Sequence, residues 1–137
     1  MEPFDSWELA DAPAVVAPDG SLVRPVGLLA GAASLARFEL APGAVTRAVT
    51  HATVQEIWQV LSGSGLLWRR QGEREEVTAL LPGTTVTIPL GTHFQFRADQ
   101  AGQTDGPGLV ILGVTVPPWP GDAEARVVAG PWAPALG

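Results

Sequence analysis

The chain has no cysteine and no tyrosine, all eight of its basic residues are arginine, and it has only two histidines, His51 and His93. Without cysteine there are no disulfides, no thiolate metal sites and no cysteine nucleophile. Without lysine or tyrosine, the groups able to act as general bases reduce to the two histidines and the carboxylates. The net charge is -6, and the longest basic run, Arg69-Arg70, is followed at once by acidic Glu73, Glu75 and Glu76. Binding a phosphate backbone requires a positive stripe, and there is none, so nucleic acid and anionic membrane are excluded as partners. No apolar run reaches the roughly 20 residues of a membrane-spanning helix. The opening MEPFDSWELADAP lacks the basic and apolar regions of a signal peptide. The expectation is a soluble, cytoplasmic protein.

Glycine (16) and proline (13) are abundant for 137 residues, and long helical periodicities are scarce. That balance favours an all-β domain with many turns. The length suits one domain spanning 1–137 that buries its own core without a covalent staple. Strand-like segments recur at 22–29, 34–40, 53–63, 66–70, 76–83, 84–91, 92–98 and 109–116. Pro-Gly turns follow residues 41 and 81, QGERE (71–75) reads as a hairpin tip and DQAGQTDGPG (99–108) as a loop. Residues 1–20 read as an N-terminal arm or a short strand, and the Pro- and Trp-rich residues 117–137 as an extended C-terminal arm. Short strands at regular spacing mean a sandwich or barrel.

One stretch, TVQEIWQV, places Glu56 inside an otherwise apolar strand. Burying a carboxylate without a partner is costly, so Glu56 is expected to face inward with a metal, a histidine or an arginine as its partner. The surrounding spacing is regular. Gly43 is followed by five residues and then Val49-Thr50-His51, with Glu56 and Gly63 beyond; Gly83 is followed by five residues and then Pro89-Leu90-Gly91. This frame resembles the two motifs of the cupins, and the resemblance covers about residues 35–116. It implies a double-stranded β-helix, a jelly-roll cupin barrel, with arms at both ends.

In that family three histidines and a glutamate point into the barrel and hold a divalent metal. Carried over by position, His51 and Glu56 match, Val49 replaces one histidine, and Phe94 occupies the place of another, with His93 one residue early. Neighbouring residues on a strand face opposite ways. In the ungapped register Phe94 and Phe96 face inward. A one-residue shortening after Gly91 would instead turn His93, Gln95 and Arg97 inward. The sequence leaves both registers open. The resemblance therefore implies a degenerate site for Fe, Mn, Ni or Zn built from His51, Glu56 and His93, with Trp58, Trp68, Gln95, Phe96 and Arg97 as pocket residues. For Trp68, plain core packing is an equal reading.

Two functions follow. In one, the chain is an oxygenase, isomerase or lyase acting on a small polar organic molecule, through the metal or through Glu56 as the catalytic group. In the other, it is a non-catalytic binder of a small ligand, without metal. The resemblance also implies a homodimer, with Trp119 and Trp132 docking the tail on the barrel or on a second subunit.

Overall fold

The computed structural model describes residues 1–100 and 107–136. Most of the loop expected at 99–108 therefore lies outside the described residues. The described chain is a run of antiparallel strands: β1 (Val15–Val16), β2 (Leu22–Leu29), β3 (Ala33–Leu40), β4 (Val49–His51), β5 (Gln55–Gly63), β6 (Gly65–Gln71), β7 (Arg74–Leu80), β8 (Thr85–Ile88), β9 (His93–Ala98), β10 (Leu109–Val116) and β11 (Ala125–Val127). Its only helical pieces among the described residues are 3-10 turns at Leu9–Asp11 and Asp122–Glu124. No helix is long and apolar enough to cross a membrane.

The strands form two sheets, ordered β1-β2-β3-β10-β5-β8 and β11-β4-β9-β6-β7. This is the jelly-roll arrangement, but the sheets face each other without closing into the hydrogen-bonded barrel that the motif frame implied. Both sheet edges stay open, at β1 and β8 and at β11 and β7.

Alternation decides what lies between the sheets. In β5, Glu56, Trp58 and Val60 are buried while Gln55, Ile57 and Gln59 are exposed. Glu56 is thus one member of the inward row, with Thr115 of β10 on one flank and Ile88 of β8 on the other. In β9, Phe94 and Phe96 enter the core with Val49, Trp58 and Leu67. The aromatic rings meet edge to face, Trp58 lying 5.6 Å from Phe94 and 5.1 Å from Phe96, an arrangement that adds to the area each ring buries. Gly113 sits opposite Trp58 across the β5–β10 ladder. A Cβ there would stand 2.5 Å from the Phe38 ring and 3.1 Å from Trp58, so the bare position is what lets those two rings meet.

Both arms are woven into the sheets. Residues 15–16 add β1 to the edge of β2. The C-terminal segment adds β11 to β4 and then bridges Ala135 to Val45. Gln95 clamps this segment from the outer face: its amide donates to the carbonyls of Thr46 and Trp132 at 2.7 and 2.8 Å and accepts from the Trp132 N–H at 3.2 Å.

Candidate functional site

A cavity of about 540 Å³ opens between the sheets. It is of the size that holds a small organic molecule. Phe38, Trp58, Phe94 and Phe96 wall it, the N-terminal segment with Asp19 and Ser21 closes one side, and Trp119, Gly121 and Asp122 of the C-terminal segment close another. The polar groups are few, and two lie side by side. His51 Nδ1 is 3.5 Å from Glu56 Oε2, and both side chains are buried.

Three adjacent features of the chain bring this pair together. Val49 and His51 are two apart on β4, so both face the cavity. The turn that follows is held by Glu124, whose carboxylate accepts from the backbone N–H groups of Thr53 and Val54 and from the Thr53 hydroxyl. The chain then enters β5 with Glu56 pointing back inward. The imidazole is wedged edge-on between Phe94 and Trp119, with centroids 5.2 and 5.1 Å away.

Burial moves both titrations, in opposite senses. It pushes the Glu56 carboxyl up from 4.5 to about 8, helped by the charge of nearby Asp19. The Trp58 indole N–H is near enough to oppose that shift but falls short of a hydrogen bond. Burial pushes His51 below its ordinary 6.5, against a smaller pull upward from Glu124. Near pH 7 the pair is therefore a neutral carboxylic acid beside a neutral imidazole. Burial would also raise Glu124, but the hydrogen bonds from Thr53 and Val54 outweigh it and hold that carboxylate low. Asp19 is pushed up by burial, with the Ser21 hydrogen bonds and Arg47 pulling down. Three buried nitrogens have no hydrogen-bond partner among the described residues: Arg37 Nε, which lies 3.4 Å from Glu39, and, beside the cavity, His51 Nδ1 and Trp58 Nε1. Buried polar atoms are nearly always satisfied, so the two that border the cavity stand out.

The remaining site candidates lie elsewhere. The ungapped register holds: Phe94 pairs with Val49 and faces the core, and His93 pairs with Thr50 and Arg70 and does not line the cavity. The expected grouping of His93 with His51 and Glu56 does not form, because Gly91 is followed by the full two residues before Phe94 and no bulge absorbs one. Gln95 and Arg97 face outward with His93. Gln95 holds the C-terminal segment, and Arg97 lies under Trp132 at 4.7 Å. Trp68 is buried on that same outer face and donates its indole N–H to Glu75 at 2.9 Å. Trp58 and Phe96 do line the cavity.

The donor set does not suit a divalent metal. Among the described residues no three His, Asp or Glu side chains are placed to hold an ion. Beside His51 and Glu56, the positions from which ligands would come are filled by the hydrocarbon of Val49 and Phe94, and a tight site for such ions needs at least three donors.

Sequence reasoning missed Asp19 and Glu124. Asp19 stands in a Pro-Asp-Gly turn, where a surface role is the ordinary expectation. Glu124 has no local signal, since its partners lie about 70 residues earlier.

No protein-family model matches the chain, and no curated protein matches its sequence. Solved structures match its shape. Pac13, titled a unique nucleoside dehydratase, superposes with a TM-score of 0.69 at 12% identity over 92% of each chain, and a Streptomyces Pac13 variant was solved with uridine. KdgF from Halomonas sp. gives 0.67 at 16% identity over 84% of this chain and 94% of that one. A variant of B. subtilis oxalate decarboxylase gives 0.73 at 16% identity over 93% of this chain and 34% of that one. All of these share one fold.

Proposed function

Starting from a chain that is a cupin by its fold, we propose that it is an acid–base enzyme, a lyase or isomerase that transfers protons on a small organic molecule held between the sheets, with His51 as the base and Glu56 as the acid. The observation that carries this reading is the buried His51–Glu56 pair at 3.5 Å. It has the donor and the acceptor of a proton transfer but not the third ligand of a metal centre. A general base works best when neutral and a general acid when protonated. Burial favours the neutral imidazole of His51 and keeps the proton on Glu56, whose carboxyl is pushed up to about 8.

The chemistry balances without any further reactant. In an elimination, His51 takes a proton from a carbon next to a carbonyl. The C–H electrons form the new double bond, the C–O bond on the neighbouring carbon breaks, and Glu56 gives its proton to the departing hydroxyl, which leaves as water. In an isomerisation the same pair moves a proton from one carbon or oxygen to the next. The apolar walls keep bulk water from the charge that develops. The likeness in shape to a nucleoside dehydratase, a variant of which was solved with uridine, supports nucleoside-like β-hydroxy aldehydes and ketones as first probes.

Incubating the protein with such a panel in D₂O and following the proton spectrum tests the proposal. Loss of the signal next to the carbonyl, or growth of a vinyl signal, is expected with the wild type. It is expected to vanish in His51→Ala and to slow in Glu56→Gln. A second reading, ligand binding without turnover, is favoured by the mostly apolar walls. Compounds that bind but show no exchange across the panel would establish it and overturn the enzyme.

A further inference from the structure

The cavity has a second polar corner that the proton-transfer chemistry leaves idle. Asp19 is buried, 9% exposed, and lines the cavity. Its Oδ1 accepts both the Ser21 backbone N–H at 2.8 Å and the Ser21 hydroxyl at 2.7 Å. Those two bonds use one oxygen, and among the described residues no donor reaches Oδ2. No arginine lines the cavity among the described residues; Arg47 draws on Asp19 from outside it, its guanidinium exposed and 3.4 Å from the Pro18 carbonyl. Every ionisable side chain on the wall apart from His51 is a carboxyl: Asp19, Glu56 and, at the exposed rim, Asp122.

An acidic corner alone is not a site, but the buried polar atoms beside it also point inward. The Trp58 indole and the His51 imidazole, 2% and 8% exposed, each leave a buried nitrogen unpartnered beside the same space. Trp58 and Phe94 also present aromatic surface, which attracts organic cations. An anionic substrate would meet no cationic side chain on this wall and would face the Asp19 carboxyl. A neutral one would leave Asp19 with only the exposed Arg47, outside the cavity, as its cation.

We propose that the substrate is an amine, bound as its ammonium ion with an N–H donated to Asp19 Oδ2 and its apolar body against Trp58 and Phe94. This deepens the reading of the cavity as the substrate site and rests on it. Asp19 anchors the charge, while His51 and Glu56 act on the rest of the molecule.

Three probes of similar shape separate the two claims: phenethylamine, phenethyl alcohol and 3-phenylpropanoate, titrated calorimetrically into the whole protein at pH 7. Phenethylamine is expected to bind at least tenfold more tightly than the alcohol, and the carboxylate not measurably. In Asp19→Asn, which keeps an oxygen for Ser21, amine affinity is expected to fall to that of the alcohol, with alcohol binding unchanged. Equal wild-type affinity for amine and alcohol would overturn the inference, with no appeal to any variant, and leave the cavity as a ligand site. An amine preference that survives in folded Asp19→Asn would also overturn it, moving the anchor elsewhere. Failure of all three probes to bind would overturn both the inference and the reading it rests on.

Discussion

Replacing Glu56 with glutamine should make the protein more stable above neutral pH, and by an amount that can be worked out. A carboxyl with an ordinary value of 4.5, pushed to about 8 in the folded chain, holds its proton more tightly when folded than when unfolded. Its contribution is fully present below 4.5 and is lost as the pH climbs towards 8. At about 1.4 kcal/mol per pH unit, the interval corresponds to roughly 5 kcal/mol. A domain of this size is stable by only about 5–15 kcal/mol in all, so the effect is large. Glutamine has the shape of the neutral acid and never ionises. Urea denaturation followed by tryptophan fluorescence at each pH from 4.5 to 9 gives the difference between the two proteins directly. Asp19, His51 and Glu124 also titrate between folded and unfolded states, but they are common to both proteins and drop out to first order. The wild type is expected to lose ground steadily against Glu56→Gln, by several kcal/mol at pH 8. Parallel stability curves would refute the reasoning, since they would mean that Glu56 is charged in the folded state and solvated or paired.

Turnover of any substrate found is expected to follow a bell-shaped pH profile: the acid limb below 6.5, where His51 takes up a proton, and the basic limb near 8, where Glu56 loses one. A single limb in kcat/KM would remove one of the two roles. Phe94→Ala should cost about 3–5 kcal/mol by denaturant titration, as it deletes a ring at the centre of the core. His93→Ala should leave phenethylamine affinity unchanged, because His93 lies on the opposite side of β9. Glu124→Ala should cost about 2–3 kcal/mol by stranding the donors of Thr53 and Val54, and its imidazole NMR signals should shift as the turn below His51 loosens. Gly113→Ala should cost about 1–3 kcal/mol by pressing a methyl against Phe38 and Trp58.

Much of this was legible in the residues. The inward Glu56 follows from alternation in β5, and the turn glycines follow from spacing: Gly43, Gly63, Gly83 and Gly91 all take positive φ in the structure, a region open to glycine without strain. Eight of the eleven strands coincide with apolar segments bounded by turn residues. The three that do not, β1, β4 and β11, are two or three residues long, too short for any periodicity to register. The register of β9 was open because two phenylalanines alternate with a histidine, a glutamine and an arginine, so either face reads as an inner one: one by hydrophobicity, the other by its match to the motif. The C-terminal segment resolves the ambiguity by burying Gln95 on the outside. Such information is non-local, and a glutamine with 1% exposure on the outer face of a sheet has no signature in its own neighbourhood. Asp19 and Glu124 escaped for the same reason.

The weaving of β11 beside β4 also has a meaning in time. Strand β4 carries His51 and is hydrogen-bonded on one side to β9 and on the other to β11. The Glu124 carboxylate that fixes the turn between His51 and Glu56 is made some 70 residues after them. A chain emerging from a ribosome can pair β2 with β3 and β6 with β7 early, from near neighbours. It cannot finish the pocket until residues 119–124 have cleared the exit tunnel. The His51–Glu56 pair is thus fixed late, after most of the strands that shelter it, and a chain whose synthesis stalls before Trp119 would carry both residues but neither the Glu124 that holds their turn nor the Trp119 that packs on the imidazole.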